Sequence, residues 1–416
     1  MATTLTVVFL ALLIITTATR VWLGRRHISH IQAHRNQVPP AFSETISLDA
    51  HQKAADYSSA KTRLMLQAGI AQAALLVLLT IGGGLQLIDD AWRSVMPDHE
   101  IMRGALVILS ALLVSSLIEL PFDYYKTFVI DERFGFNKMT PKMFFSDLIK
   151  HSLVGLLLGA PILFAALYLM QGAGDYWWIY LWVVWSVFNL LMLAIYPTFI
   201  APLFNKFSPL QDETLKTRIE ALLHKCGFKS QGLFVMDGST RSSHGNAYFT
   251  GFGSSKRVVF FDTLLERLDA DEIEAVLAHE LGHFKHRHVV KRIALMFFVS
   301  FVGLAVLGWL MQQPWFYSGL GVTEPSDYMA LLLFLLVSPV FLFLLRPLMA
   351  SYSRKNEFEA DEYAAKNADA SYLIEALVKL YRDNASTLTP DPLHSAFYDS
   401  HPPASIRITR LTAFLK

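Results

Sequence analysis

The short sequence His279-Glu280-Leu281-Gly282-His283 combines two metal-binding residues with one that can move a proton. In a helix, residues four positions apart share one face and lie about 5–6 Å apart, so both imidazoles can reach one ion. Glu280 lies beside the first histidine and can act as a general base on a metal-bound water. A five-residue pattern also occurs by chance, so a helix that merely carries two histidines is the alternative. The spacing predicts the zinc site of a peptidase, with His279 and His283 as ligands.

A catalytic zinc site needs a third protein ligand and one open position for water. The metzincin pattern would place glycine at position 286 and histidine at position 289, where this chain has His286 and Val289. The other solution is a glutamate on a separate helix, and we predict that Glu357 is this ligand. Asp361 is four residues further on and shares its helix face, so we expect it to accept a hydrogen bond from a ligand histidine. An ordinary acidic, solvated helix face is the alternative.

The composition predicts an integral membrane protein. Of the 416 residues, 53% are hydrophobic and 17% are charged, whereas soluble domains carry about 25% charged residues. Seven segments are long and apolar enough to span a bilayer, which takes about 20 residues. They lie near 3–23, 65–88, 102–120, 152–170, 176–199, 290–312 and 328–350. The net charge of +1 gives no reason to expect a nucleic-acid partner. With Cys226 as the single cysteine, an internal disulfide is excluded.

Basic residues predict the orientation in the membrane. The connections after the first and third apolar segments are rich in Lys and Arg, whereas 171–175 and 313–327 contain neither. The positive-inside rule therefore places the N-terminus outside or in the lumen, and the catalytic portion and C-terminus in the cytoplasm. The membrane would be the inner membrane in a bacterium and the endoplasmic reticulum in a eukaryote. Asn384-Ala385-Ser386 matches the glycosylation pattern, but a cytoplasmic location would leave it unused.

We divide the chain into four parts: membrane helices one to five with their cytoplasmic loops (1–199), a catalytic portion (200–289), membrane helices six and seven (290–350), and a C-terminal cytoplasmic portion with the third ligand (351–416). The catalytic and C-terminal portions are small, so we expect them to pack together. Within 200–289 the pattern predicts a helix over 214–226 and strands over 232–237, 246–251 and 257–261, with a turn at 253–255. Asp269 and Glu272 predict a capping box at the start of the His279 helix. That helix is expected to continue through His288 into the sixth span, with His286 and His288 in a basic cluster at the membrane surface.

The motifs resemble those of the type 1 CAAX prenyl protease family. The resemblance rests on the His279–His283 sequence followed by Ser353-Arg354-Lys355-Asn356-Glu357-Phe358-Glu359-Ala360-Asp361, and on four further stretches. These stretches are 131–137, 196–207, 237–265 and 400–403 with Arg407. The resemblance implies a mainly α fold, with seven transmembrane helices around a water-filled chamber and a small α+β cytoplasmic zinc-peptidase portion that has a short β-sheet. It also implies one Zn²⁺ per chain.

The resemblance implies further site residues. Asn246, Ala247 and Tyr248 would lie on an edge strand to which an extended peptide adds as another strand. His401 and Arg407 would lie near the zinc, where a donor can stabilise the oxyanion. Without the family, His401 before two prolines is a turn residue and Arg407 is a solvated helix charge. The implied substrate is a peptide or protein of the prenylated CAAX type.

Two other functions compete with this interpretation. A membrane-protein quality-control protease would cleave chains without regard to lipidation, and many organisms with such proteins make no prenylated substrates. A transporter or receptor with a structural zinc site would belong to another class. The glutamate beside His279 and the set of three ligands, not four, argue against that class.

Overall fold

The computed structural model describes residues 1–228, 230–250 and 256–415, and in this part of the chain helices predominate. The helices that carry the membrane-spanning segments are α1 (Ala2–Ala33), α2 (Leu48–Leu79), α4 (Glu100–Tyr125), α5 (Pro141–Gly172), α6 (Trp177–Ile195), α10 (His288–Leu310) and α12 (Asp327–Leu342). The remaining helices are α3 (Gly84–Val95), α7 (Glu213–Lys225), α8 (Asp262–Leu265), α9 (Ala270–Lys285), α11 (Pro314–Ser318), α13 (Arg346–Asn367), α14 (Ala370–Asp383), α15 (Pro392–Tyr398) and α16 (Ala404–Thr412).

The predicted number of spans is confirmed, because seven helical segments of the described chain are long and apolar enough to cross a membrane. The predicted end of the second span is wrong. The helix ends at Leu79, and a glycine run follows in which Gly83 adopts a left-handed conformation with φ of 77°. Glycine takes a left-handed conformation at no steric cost, and this conformation interrupts the helix. The chain therefore continues as a separate helix, α3. The apolar pattern continued through the break, so periodicity alone could not locate it.

A four-stranded sheet lies in the catalytic portion, in the order β1 (Phe207–Pro209), β2 (Leu233–Met236), β4 (Arg257–Phe261), β3 (Ala247–Thr250). β2 and β4 are parallel, and the other two pairs are antiparallel. Three of these strands were predicted. β1 was not, because three residues ending in a proline carry no alternating pattern. The predicted turn at 253–255 lies outside the described residues. In the described part of the sheet β3 is an edge strand, so one side of its backbone is free to pair.

The catalytic and C-terminal portions share one hydrophobic core, as predicted. Leu277 and Leu281 of α9 are buried together with Ala364, Leu373 and Leu411 of the last helices. The predicted capping box is present, with the Asp269 and Glu272 side chains each bound to the other's backbone N–H. α9 and α13 approach closely at Gly282, where an added Cβ would lie 2.8 Å from the Cα of Ala360. This contact brings the His279 face of α9 against the Glu357 face of α13.

The prediction that the His279 helix runs on into the sixth span is wrong. α9 ends at Lys285, and Arg287 adopts a left-handed conformation with φ of 56° before α10 begins at His288. A non-glycine residue in this conformation is uncommon, and nothing in the local sequence signals it. The break redirects the chain, so that His288 is buried against α9 and does not lie in an exposed basic cluster.

Candidate metal centre and active site

Three ligand atoms from two helices converge at the contact between α9 and α13. The Nε2 atoms of His279 and His283 lie 3.3 Å apart. Nε2 of His279 lies 3.4 Å from Oε2 of Glu357, and Nε2 of His283 lies 3.4 Å from the other oxygen, Oε1. With zinc–ligand bonds of about 2.0–2.1 Å, two ligands of a tetrahedral site lie about 3.3–3.4 Å apart. The separations therefore match those of a zinc site, and one ligand atom from each of the three residues lies within 4.8 Å of the others.

The charge and burial of these side chains also fit a cation. Glu357 is 4% exposed, and its Oε2 is buried without a hydrogen-bond partner. A buried carboxylate oxygen without a partner is costly, and a divalent cation between the three ligand atoms would neutralise it. Imidazole and carboxylate are ligands that zinc accepts, and three of them leave a fourth position for water.

Asp361 lies behind His279, on the side away from the other two ligands. Its Oδ1 is 2.9 Å from Nδ1 of His279. Burial alone would lower the pKa of His279, but the neighbouring carboxylates of Asp361 and Glu357 outweigh it and raise the pKa to about 9. The hydrogen bond directs the Nε2 atom of His279 toward the other ligands. The structure thus places Asp361 within hydrogen-bond distance of His279.

Arg407 lies next to Asp361 and is itself buried, at 6% exposure. Its Nε and Nη2 donate to the two carboxylate oxygens of Asp361, at 2.9 and 2.5 Å. The third nitrogen, Nη1, is 3.8 Å from Oε2 of Glu357. The ion pair with Asp361 raises the pKa of Arg407 against the effect of burial. Arg407 is therefore not the solvated helix charge that composition alone would suggest.

His283 has a support that the sequence did not reveal. Its Nδ1 lies 2.9 Å from Nδ1 of His288, and Nε2 of His288 lies 3.0 Å from Oε2 of Glu359. Both ligand histidines are thus held from behind, His279 by Asp361 and His283 by His288 with Glu359. The bend at Arg287 makes the second arrangement possible. The only sequence feature that could have indicated this support is a histidine five residues after His283. In an unbroken helix, however, the side chain of His288 would point away from His283.

The remaining predicted residues surround the same centre. Glu280 is half-buried on α9, immediately after His279. The side chain of His401 is 62% exposed, and its Nε2 lies 3.5 Å from Oε1 of Glu357. Ser400 lies within hydrogen-bond distance of its Nδ1, at 3.0 Å. His401 is thus the exposed imidazole beside the three ligands.

Asn246, Ala247 and Tyr248 lie at the start of the edge strand. Asn246 is exposed, and its Oδ1 accepts from the backbone N–H of Ala247 at 2.9 Å. The carbonyl of Asn246 accepts from the N–H of Phe261 on β4, also at 2.9 Å. Phe249 on the same strand packs against Phe284 of α9, with ring centroids 5.1 Å apart. β3 therefore packs close to α9, the helix that carries His279 and His283.

Comparisons with known proteins cover nearly the whole chain. Residues 27–206 match the family described as CAAX prenyl protease N-terminal, five membrane helices, and residues 209–415 match peptidase family M48. CAAX prenyl protease 1 of Saccharomyces cerevisiae is 35% identical, over 90% of this chain and 88% of that protein. The CAAX prenyl protease 1 homolog of Homo sapiens is 32% identical over the same shares. The crystal structure of S. mikatae Ste24p superposes with a TM-score of 0.92 at 31% identity, and covers 98% of this chain and 99% of that one.

Proposed function

The chain belongs to the type 1 CAAX prenyl protease family of M48 metallopeptidases, and on that premise we propose that it is a zinc-dependent integral-membrane endopeptidase. Its substrates are proteins or peptides of the prenylated CAAX type, which it cleaves near the C-terminus. The observation that carries the proposal is the close approach of three side chains, with Glu280 beside them: the Nε2 atoms of His279 and His283 lie 3.3 Å apart, and each lies 3.4 Å from an oxygen of Glu357.

The three ligand side chains would hold one Zn²⁺. When bound, this ion polarises the scissile carbonyl and lowers the pKa of the attacking water to about 7. Asp361 and His288 keep the two imidazoles in the orientation that binding requires. Glu280 takes the proton of the attacking water and passes it to the nitrogen of the leaving amine. The products are a new carboxylate and a free amine, so the atoms of one water molecule are consumed in each turnover.

Negative charge develops on the scissile carbonyl oxygen and needs a hydrogen-bond donor to stabilise it. His401 and Arg407 are the two candidates. His401 is exposed and adjacent to the ligands, so its imidazole is open to a substrate carbonyl. Arg407 is buried and uses two of its nitrogens on Asp361. We therefore assign the direct contact with the oxyanion to His401. Arg407 contributes through its positive charge, with Nη1 3.8 Å from Glu357.

The substrate backbone pairs with the free edge of β3. Strand addition of this kind uses main-chain hydrogen bonds, which hold an extended peptide with little side-chain selectivity. Asn246 lies at the start of the strand with its side chain exposed, where it can contact the added backbone. Ala247 and Tyr248 supply the adjoining backbone groups. The strand and the ligands together would align one peptide bond over the metal centre.

The protein is an integral membrane protein with several apolar helices. We propose the orientation that the basic residues indicate, with the N-terminus outside or lumenal and the metal centre on the cytoplasmic side. The water-filled chamber that the family resemblance implies would lie among the membrane helices, with the metal centre facing into it.

The test is mass spectrometry of a farnesylated CAAX peptide after incubation with the detergent-purified protein, with its unprenylated twin in parallel. Release of the last three residues from the farnesylated peptide alone supports a prenyl-directed endopeptidase. Equal cleavage of both peptides favours the quality-control protease. Cleavage of neither, with metal bound, would contradict the proposed substrate class.

Glu280→Gln is the matched inactive variant. Glutamine has nearly the same shape but cannot accept the proton, so turnover should be lost while the metal content stays at the wild-type level. Retained turnover in this variant would rule out Glu280 as the general base.

A further inference from the structure

Asn384, at the C-terminal end of α14, reaches the residue that precedes Asn246. Its Oδ1 accepts from the backbone N–H of Gly245 at 3.1 Å, and its Nδ2 donates to the carbonyl of Gly245 at 3.4 Å. One side-chain amide therefore binds both backbone polar groups of a residue 139 positions away. Two such bonds to one residue fix its orientation as well as its position.

Other contacts hold the same segment to α8 and to the loop after the third span. The carbonyl of His244 accepts from Oγ1 of Thr263 at 2.9 Å. The ring of His244 stacks on Phe136, with centroids 4.5 Å apart and planes at 15°. These contacts attach the segment to α8 and to that loop, and Asn384 adds an attachment to α14.

α14 is in turn fixed to the helix that carries the ligand histidines. Nζ of Lys379 lies 2.6 Å from Oε1 of Glu272, whose side chain is fully buried at the start of α9. Leu373 of α14 packs in the same core as Leu277 of α9. A continuous set of contacts thus runs from the metal ligands through α9 and α14 to Asn384, and from there to the start of β3.

The backbone after Asn384 supports a defined position for its side chain. Ala385 adopts a left-handed conformation with φ of 44°, and the N–H of Ser386 binds back to the carbonyl of Tyr381 at 2.9 Å. This geometry ends α14 in the manner of a left-handed helix cap, although an alanine adopts it at a cost. The bend leaves Asn384 at the helix end, facing Gly245.

We propose that Asn384 is a positioning residue that sets the distance between the substrate strand and the metal ligands. The inference rests on the proposed function, because it assumes that a peptide pairs with β3. Asn384 touches neither the metal ligands nor Glu280, so its loss should weaken peptide binding and leave the chemical step intact. The asparagine of the glycosylation pattern at 384–386 thereby has a structural use of its own.

The test compares Asn384→Ala and Asn384→Asp with the wild type. Aspartate keeps the acceptor for the Gly245 N–H but loses the donor, and it serves as the second variant if alanine disturbs folding. The matched control is Asn367→Ala, because the Asn367 amide also lies at a helix end but binds only within its own helix, to the carbonyl of Tyr363 at 2.9 Å. Measurements are KM and kcat for the farnesylated peptide, the metal content, and hydrogen exchange of residues 244–250.

Loss of one or two hydrogen bonds of about 1 kcal/mol each predicts a KM raised about 5- to 30-fold. We expect kcat within about two-fold of wild type, unchanged metal content, and faster hydrogen exchange in 244–250. The control should change none of these. A wild-type KM together with wild-type exchange would overturn the proposal, as would a fall in kcat with loss of metal. If the wild-type protein cleaves neither peptide, the proposed function fails, and the exchange comparison still decides whether Asn384 holds the strand.

Discussion

His288 reaches the ligand His283 because the chain turns between them: their Nδ1 atoms lie 2.9 Å apart although the two residues belong to different helices. The turn depends on Arg287 in a left-handed conformation. A backbone conformation that is unfavourable for arginine is thus maintained where it brings His288 behind His283, a proposed metal ligand. Strained backbone of this kind is common at functional sites.

Replacing His288 should weaken metal binding. In His288→Phe the ring volume is kept, but His283 loses its hydrogen-bonded neighbour, and metal affinity should fall about 10- to 100-fold. Competition with a fluorescent zinc chelator measures this change. Glu362→Gln is the control, because Glu362 is on α13 with Glu359, the partner of His288, but pairs with Lys366 in solvent. Equal affinities for wild type and His288→Phe would show that the contact has no role in binding.

The buried ion pair of Asp361 and Arg407 should show strong coupling. Arg407→Met removes the guanidinium from the buried Asp361 carboxylate, and Asp361→Asn removes the carboxylate that accepts two hydrogen bonds from the buried guanidinium. Each change should destabilise the protein by about 3–5 kcal/mol. The double variant should lose much less than the sum of both. Thermal unfolding of all four proteins in one detergent measures this cycle. Additive losses would mean that the two side chains do not interact.

Metal binding should release a proton. The pKa of His279 is about 9 in the metal-free protein, so at pH 7 this imidazole holds a proton that zinc must displace. Apparent zinc affinity should therefore rise about ten-fold per pH unit up to about pH 9 and then level off. Calorimetry in buffers of different ionisation enthalpy counts the protons released. No release near pH 7 would contradict the raised pKa.

The same shift has a consequence for the metal-free fold. A folded pKa of about 9, above the ordinary value of 6.5, gives a stabilising contribution that is complete below pH 6.5. That contribution is lost as the pH rises through 9. In Asp361→Asn, His279 should release its proton at a lower pH, because the hydrogen bond to Asp361 is a principal cause of its raised pKa.

Gly282 should tolerate no larger side chain. A Cβ there would lie 2.8 Å from the Cα of Ala360, so Gly282→Ala must push α9 away from α13. Such overpacking costs about 1–3 kcal/mol, and it would also separate the histidines from Glu357. We expect a lower unfolding temperature and a lower zinc affinity. Gly69→Ala is the control, because nothing lies within 4 Å of its added Cβ, and similar losses in both variants would argue against the close approach as the cause.

The sequence by itself determined the features that depend on local spacing. Histidines four apart, a glutamate and an aspartate four apart, runs of about 20 apolar residues and a capping box all follow from helical periodicity. The apolar runs were sufficient to predict the seven spans, and short strand-like runs between turn residues predicted three of the four strands in the described residues. The proposed ligand set needed one further step, which was to pair residues on two helices that the sequence separates.

Tertiary structure decided the contacts that periodicity does not encode. His288 lies behind His283 because of one bend at an arginine, and a sequence pattern assigns no such conformation to arginine. Asn384 reaches Gly245 across 139 positions, and Arg407 reaches Asp361 across 46. Such pairs form when packed helices and a sheet bring distant segments together. The physical reason is that hydrogen-bonding partners of buried polar groups are set by three-dimensional packing, whereas helix faces are set by the chain's own repeat.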